Sequence, residues 1–131
     1  MTDTPESSWL TILIVDDDWM NREIVEAHLV AAGYRVATAA SGEQALELVL
    51  SDLPDLVLLD VRLPGMEGYE VCRRLKSESH TRHVPVVMIT ALDTEADRRQ
   101  ALEAGADDTL IKPISSHTLL ARIRKWTGSQ A

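Results

Sequence analysis

Several side chains that could do chemistry follow directly after short apolar runs of the sequence. They are Asp16, Asp17, Asp18, Asp60, Thr90 and Lys112. Two carboxylates about 4 Å apart repel by roughly 4 kcal/mol at an effective dielectric constant near 20, so a cluster of them needs protons, a cation or an ammonium partner. Oxygen ligands without a neighbouring Cys or His suit a hard cation such as Mg²⁺. A carboxylate can also act as a nucleophile and form an acyl phosphate, with Mg²⁺ and Lys112 supplying the charge neutralisation that phosphoryl transfer needs.

Each of these residues also has an ordinary structural interpretation. Asp18 precedes a predicted helix and fits an N-cap better than a ligand. Taken alone, Asp60 fits a turn, Thr90 fits a strand and Lys112 fits a solvated surface charge. Their joint placement after four different apolar runs favours a chemical role for the set over four separate structural roles.

Five predicted strands must bring these residues together. Leu10–Val15, Leu56–Leu59 and Val86–Ile89 are nearly continuous apolar runs, which suit strands buried on both faces of a parallel sheet. Tyr34–Ala39 is more mixed and Thr109–Ile111 is short, so we expect both nearer the edges of the sheet.

Amphipathic patterns between the strands predict five helices. The second opens with Ser41 and Gln44, a capping-box arrangement. The helical positions are, in order, Ile24, Val25, Leu29 and Val30 with a stop at Gly33; Leu46, Val49 and Leu50; Val71, Cys72 and Leu75 after Gly68; Thr94 to Ala104 with a stop at Gly105; and Leu119, Leu120 and Ile123 after Ser115 or Ser116. This alternation predicts a doubly wound α/β fold, which binds ligands beyond the carboxyl ends of its parallel strands.

Composition limits the classes of function. The 131 residues fit one domain, and a net charge of -8 argues against direct nucleic-acid binding. The single cysteine, Cys72, excludes an intramolecular disulfide, reads as a small buried hydrophobe, and favours a reducing cytoplasmic setting. Residues 1–8 lack the order of a signal peptide, and no apolar run approaches the ~20 residues that span a bilayer, so we expect no membrane association.

Four segments resemble the receiver domains of two-component response regulators: ILIVDDD, LVLLDVRLPGMEGYEV, VPVVMITA and GADDTLIKPI. The resemblance implies a flavodoxin-like parallel sheet with strand order 2-1-3-4-5 and five helices. It places the domain at residues 9–126, with a flexible N-terminal tail at 1–8 and a tail or the start of a linker at 127–131. Whether the chain is a stand-alone receiver or a fragment of a larger regulator is left open.

The resemblance also implies the role of each residue in an acidic site. Asp60 is the expected phospho-acceptor. Asp16, Asp17 and Asp60 are the expected Mg²⁺ site, with Asp17 binding the ion directly and Asp16 acting mainly through water. Arg62 is expected to lend its main-chain carbonyl to the metal.

Other positions of the family pattern surround the acceptor. Thr90 matches the switch hydroxyl, Ala91 its small neighbour, and Lys112 the lysine that pairs with the phosphoryl oxygens, in a Lys112–Pro113 peptide expected to be cis. The loop after the acceptor is matched by Pro64, Gly65 and Gly68, where glycine permits unusual dihedral angles.

One position departs from the family pattern. Thr109 stands three residues before the lysine, where the family usually has Tyr or Phe, and the chain contains no Phe. The acceptor chemistry should survive because Thr109 supplies none of it. We hypothesise that output depends instead on Thr90 and on movement of the fourth helix or its loop.

Trp19 follows the three aspartates directly. We expect a partly buried aromatic residue at the start of a helix, whose fluorescence emission responds to Mg²⁺. On the third predicted helix, the adjacent residues Arg73 and Arg74 are predicted to face solvent.

The predicted function is a phosphorelay switch and not a metabolic enzyme. A sensor histidine kinase or phosphotransfer protein would donate phosphate to Asp60, and the change would reach an output domain, an effector protein or a second copy of the chain in a phosphorylation-dependent homodimer. Three alternatives stay open. A phosphohydrolase would use the Asp16 and Asp18 spacing but needs a cap that no segment can form, and a flavin-binding protein needs a Ser/Thr/Gly-rich first loop where this chain has DDDWMN. The third is a degenerate receiver used only for docking, which Thr109 alone favours.

Overall fold

A computed structural model describes residues 10–91 and 94–128 of the chain. The strands are β1 (Thr11–Val15), β2 (Arg35–Ala39), β3 (Leu56–Asp60), β4 (Val86–Thr90) and β5 (Asp108–Ile111). The helices are α1 (Trp19–Ala31), α2 (Gly42–Ser51), α3 (Gly68–Ser77), α4 (Glu95–Ala104) and α5 (Ser116–Thr127). The predicted tail at 1–8 lies outside the described residues, as do 129–131 of the predicted C-terminal tail, and α5 continues one residue beyond Trp126.

The five strands form one parallel sheet in the order β2-β1-β3-β4-β5, as predicted. The mixed strand β2 and the short strand β5 are its edges, and all five residues of the central strand β3 are buried. Val15 of β1 pairs with Leu59 of β3, and Asp60 pairs with Ile89 of β4. The carboxyl ends of the central strands are therefore level with one another.

Alternate residues of each buried strand enter two apolar layers, because successive side chains of a strand point to opposite faces. In β1, Leu13 and Val15 join the layer beneath α2, α3 and α4, whereas Ile12 and Ile14 join the layer beneath α1 and α5. Cys72 lies wholly inside the first layer, as predicted, and its burial raises the pKa of the thiol to about 11.

Several apolar helix residues predicted to share a buried face are exposed. Ile24 and Val30 of α1 are each 56% exposed, and Leu50 of α2 is 68% exposed. Each lies next to a residue that does face the sheet, and neighbours on a helix point about 100° apart, so both cannot face it. Trp19 is also exposed, at 62%, and not partly buried, because it is the first residue of α1 and lies beyond the end of β1.

Side-chain caps define the starts of α1, α2, α4 and α5. Asp18 caps α1 by accepting from the Met20 amide at 3.0 Å, which confirms the capping interpretation. The Ser41 hydroxyl accepts from the Gln44 amide at 3.2 Å. The Gln44 side-chain oxygen accepts from the Ala40 amide and not from the Ser41 amide, so the predicted capping box is only half formed. Further caps are Thr94 with Asp97 at α4, Gly105 at the end of α4, and Ser115 at α5. None of the described helices is long and apolar enough to cross a membrane.

Candidate functional site

The predicted residues meet at the carboxyl end of the sheet. Asp16 follows β1, Asp60 ends β3, Thr90 ends β4 and Lys112 follows β5. Carboxylate oxygens of Asp16, Asp17 and Asp60 all lie within 4.8 Å of one another. Adjacent parallel strands that end level with each other produce this meeting, as expected for a doubly wound sheet.

Asp16 is held in place from three directions. Its amide donates to the Ala39 carbonyl of β2 at 3.1 Å, and its Oδ1 accepts from the Asp18 amide at 3.0 Å. The Arg22 guanidinium donates to its main-chain carbonyl at 2.8 Å. The residue is 8% exposed, and burial raises the pKa of its carboxyl above the usual value, against the effect of the Asp18 amide.

Asp60 is 7% exposed, and each of its carboxylate oxygens has a partner. Oδ1 accepts from the Arg62 amide at 3.0 Å, and Oδ2 accepts from Lys112 Nζ at 3.0 Å. The ammonium therefore reaches the carboxylate across 52 residues of sequence. Such a pair neutralises part of the charge that three adjacent carboxylates accumulate.

Lys112 is positioned by the end of the sheet. Its amide donates to the Thr90 carbonyl at 2.8 Å, and the following peptide bond to Pro113 is cis, as predicted. Partial burial lowers the pKa of Lys112. The hydrogen bond to Asp60 and the surrounding carboxylates together raise it by more, so the pKa lies above its usual value. The side chain stays cationic at neutral pH.

The glycines of the loop after Asp60 have two different roles. Gly65 has φ of +79°, the left-handed conformation that glycine permits. Gly68 has no positive φ; a Cβ there would lie 2.3 Å from the Asp60 carbonyl oxygen. The prediction of unusual dihedral angles is therefore wrong for Gly68, which is required because the first turn of α3 packs against the backbone of the acceptor strand.

The donor set fits a magnesium ion. Asp16, Asp17 and Asp60 offer only oxygen, with no Cys or His in the cluster, and Asp17 is exposed to solvent, so that waters can complete the coordination sphere. The division of roles between Asp16 and Asp17 stays a prediction. The same holds for the main-chain carbonyl of Arg62, whose amide contacts Asp60.

One cavity lies beside Thr90, and another lies beside Asp16 and Lys112. The first, of about 260 Å³, is lined by Thr90, Thr109 and Tyr69 together with residues of α4. Thr90 is 5% exposed. Tyr69 was missed by the sequence reasoning; an aromatic residue at the start of a predicted helix near the acceptor was the signal that could have found it.

The other cavity, of about 530 Å³, lies between α1 and α5 beside Asp16 and Lys112. Ile24, Val25 and Leu119 form part of its apolar lining. The exposed side chain of Ile24 therefore lies beside the acidic site.

Comparison with known proteins gives the family. The response regulator receiver domain family matches residues 12–124. The chain belongs to this family. Phosphoryl acceptance and Mg²⁺ binding are general properties of receiver domains. Of the interpretations of the sequence, membership agrees with the receiver domain.

Relatives and solved structures agree with this membership. The receiver domain is 53% identical over 116 residues to the response regulator PleD of Caulobacter vibrioides, covering 88% of this chain and 26% of PleD. The receiver domain of the sensor histidine kinase PA1611 from Pseudomonas aeruginosa, solved with a magnesium ion coordinated in its active site cleft, is 36% identical with a TM-score of 0.85, covering 92% of this chain and 98% of that one.

A receiver domain of a signal transduction histidine kinase from Syntrophus aciditrophicus is 32% identical with a TM-score of 0.87, covering 92% of this chain and 91% of that one. The chain spans about a quarter to a half of the length of the curated relatives it matches.

Proposed function

We propose that this receiver domain accepts a phosphoryl group on Asp60 from a histidine kinase or phosphotransfer protein and switches a partner-binding surface. The observation that carries the proposal is the buried Asp60 carboxylate, paired with Lys112 Nζ at 3.0 Å and within 4.8 Å of carboxylate oxygens of Asp16 and Asp17. One nucleophile, one fixed cation and an oxygen-only metal site are the parts that phosphoryl transfer to a carboxylate requires.

The transfer assigns a task to each group. A carboxylate oxygen of Asp60 attacks phosphorus and forms a P–O bond, while the bond from phosphorus to the donor's leaving atom breaks with its electron pair. For a phosphohistidine that atom is an imidazole nitrogen, which then takes a proton. The Arg62 amide and Lys112 hold the carboxylate in one orientation, and Lys112 then pairs with a phosphoryl oxygen. Bound Mg²⁺ would neutralise charge on the phosphoryl oxygens and on the carboxylates.

The surface beside the site supports approach of a protein donor. Trp19, Met20 and Ile24 of α1 are each more than half exposed, and Ile24 lines the cavity next to Asp16 and Lys112. Exposed apolar side chains that cluster near a reactive group are typical of protein contact sites. A donor domain that packs here would bring its phosphorylated side chain to Asp60.

The remaining parts of the proposal concern role and setting. The domain acts as a phospho-acceptor that catalyses only its own phosphorylation and dephosphorylation, and its output is an effector protein, an output domain or a phosphorylation-dependent homodimer. We place it in the cytoplasm, because its one cysteine is a buried free thiol, as is usual in reducing compartments.

Intact-mass spectrometry after incubation with acetyl phosphate tests the acceptor. We expect one phosphoryl increment that requires Mg²⁺ and is absent from Asp60→Asn. Asp18→Asn is the matched control, because Asn also caps a helix and Asp18 lies outside the carboxylate cluster, so it should keep the increment. No increment in the folded wild-type protein, together with no binding of beryllofluoride, would refute the proposal and favour the docking scaffold.

A further inference from the structure

Tyr69 follows directly after the residue that packs against the end of the acceptor strand. The preceding residue, Gly68, packs on the Asp60 carbonyl so closely that no Cβ fits, and its amide donates to the Val61 carbonyl at 2.8 Å. Tyr69 is 7% exposed, in the first turn of α3. A change in the backbone at Asp60 or Val61 should therefore move Gly68 and the tyrosine that follows it, because Gly68 is closely packed against both residues.

The other end of the Tyr69 side chain contacts α4. Its hydroxyl donates to the Asp97 main-chain carbonyl at 3.4 Å, in the first turn of that helix. Burial, with the charges of Asp97 and Glu67, raises the pKa of Tyr69, so the hydroxyl stays protonated and remains a donor. The Asp97 carboxylate is engaged with Thr94 in the capping box, which leaves the carbonyl as the point of attachment.

Among the described residues, helix α4 presents few apolar side chains to the core. It packs chiefly against α3, and its buried side chains are two alanines, Ala101 and Ala104, whereas Leu102 is 76% exposed. Small buried side chains contribute little hydrophobic stabilisation, so a hydrogen bond from another helix to the first turn contributes measurably to its position. The far end of the helix is attached to α3 by the Cys72 thiol, 3.3 Å from the Ala104 carbonyl oxygen.

The cavity beside Thr90 completes the arrangement. Tyr69 is the aromatic member of its described lining, which also includes Val61, Thr90 and Thr109. The short Thr109 side chain leaves about 260 Å³ here, enough for the Thr90 side chain or the tyrosine ring to shift. We propose that Tyr69 is the positioning residue through which the acceptor site acts on α4. This inference rests on the proposed function, since the acceptor must change state for α4 to respond.

Hydrogen–deuterium exchange of α4 tests the coupling, with and without Mg²⁺ and beryllofluoride, a mimic of the phosphoryl group. In the wild-type protein we expect the mimic to change exchange in the first two turns of α4 by about threefold or more, the effect of making or losing one neutral hydrogen bond. In Tyr69→Phe, which removes only the hydroxyl, this response should disappear while the Mg²⁺-dependent phosphoryl increment is retained.

Tyr34→Phe is the matched control. Tyr34 is also buried but lies in the other apolar layer, beneath α1 and α5, so its variant should keep the response of α4. A Tyr69→Phe protein with the full response would overturn the inference, as would one whose α4 exchanges faster by the same factor in both states, which marks a purely structural role. If the wild-type protein takes up the phosphoryl group but α4 does not respond, the coupling fails and the acceptor proposal stands. If it takes up neither phosphoryl group nor mimic, both fail.

Discussion

Replacing Asp16 by Asn should stabilise the metal-free protein and destabilise it, relative to wild type, when Mg²⁺ is present. Asp16 is 8% exposed, and one of its oxygens lies within 4.8 Å of carboxylate oxygens of Asp17 and Asp60. The substitution removes one buried negative charge with almost no change in shape. The amide hydrogen bond from Asp18 is kept, because the side-chain oxygen of Asn also accepts.

The magnitude follows from the separation of the charges. At 4.8 Å and an effective dielectric constant near 20, two unit charges repel by about 3.5 kcal/mol. Lys112 offsets part of this repulsion, so we expect Asp16→Asn to raise the free energy of unfolding by about 1–2 kcal/mol without metal. Mg²⁺ at a hundred times its Kd would stabilise the wild-type protein by about 2.7 kcal/mol and a weaker-binding variant by less, so the order reverses.

The difference between the two proteins should also depend on pH. Burial raises the folded-state pKa of Asp16 above the ordinary value of 3.8. The penalty for its charge is therefore absent below the unfolded-state pKa and develops as the pH rises through the folded-state pKa. Lowering the pH through that window should bring the metal-free wild type towards the stability of Asp16→Asn.

Urea denaturation followed by circular dichroism, with EDTA or with Mg²⁺, measures both effects. Asp18→Asn is the control, since it also removes one negative charge but leaves the three-carboxylate cluster intact. Equal stabilisation by both variants would show that net charge, and not the cluster, is responsible. An unchanged order of stability on adding Mg²⁺ would refute the assignment of Asp16 to the metal site.

Three further predictions test the scaffold around the site. Gly68→Ala should cost about 1–3 kcal/mol of stability and slow phosphorylation by acetyl phosphate, because its Cβ would meet the Asp60 carbonyl at 2.3 Å; wild-type values in urea denaturation and intact mass would contradict this. Burial raises the pKa of Asp108, but hydrogen bonds from the Trp126 indole and the Arg122 guanidinium lower it to below 3.8 overall. The ionised carboxylate therefore stabilises the fold above that pH, and this stabilisation is lost as the pH falls through the folded-state pKa. Asp108→Asn should flatten the acid limb of a thermal-stability profile, and an unchanged limb would show that these hydrogen bonds do not stabilise the fold. Mg²⁺ should change tryptophan emission, and the change should vanish in Trp19→Phe, whereas a change that survives would assign the signal to another tryptophan.

The sheet and its reactive edge could be predicted because their signals are local. Continuous apolar runs such as Leu56–Leu59 mark strands buried on both faces, and the alternation with helices restricts the topology to few choices. A polar residue after each run then lies at the carboxyl edge by necessity. Asp16, Asp60, Thr90 and Lys112 could be placed on one site from the sequence for this reason.

The rotation of helices on the sheet was decided by packing. Periodicity placed Ile24 and Val25 on one face of α1, but only tertiary structure selects which of two adjacent residues turns towards the sheet, and it left Ile24 exposed beside the acidic site. Gly68 likewise has an ordinary backbone conformation. Glycine is required there because a Cβ would clash with the main-chain carbonyl of Asp60, eight residues earlier.

What the sequence determined by itself is the order of the elements and the chemical groups at their ends, since the hydrogen bonds and side-chain periods that define strands and helices depend on near neighbours. What only the tertiary structure decided is how groups far apart in the chain pair. Tyr69 reaches the Asp97 carbonyl across 28 residues, and Lys76 reaches the Asp107 carboxylate across 31. Such pairs depend on ångström-level packing of whole elements, which no local pattern of residue types encodes.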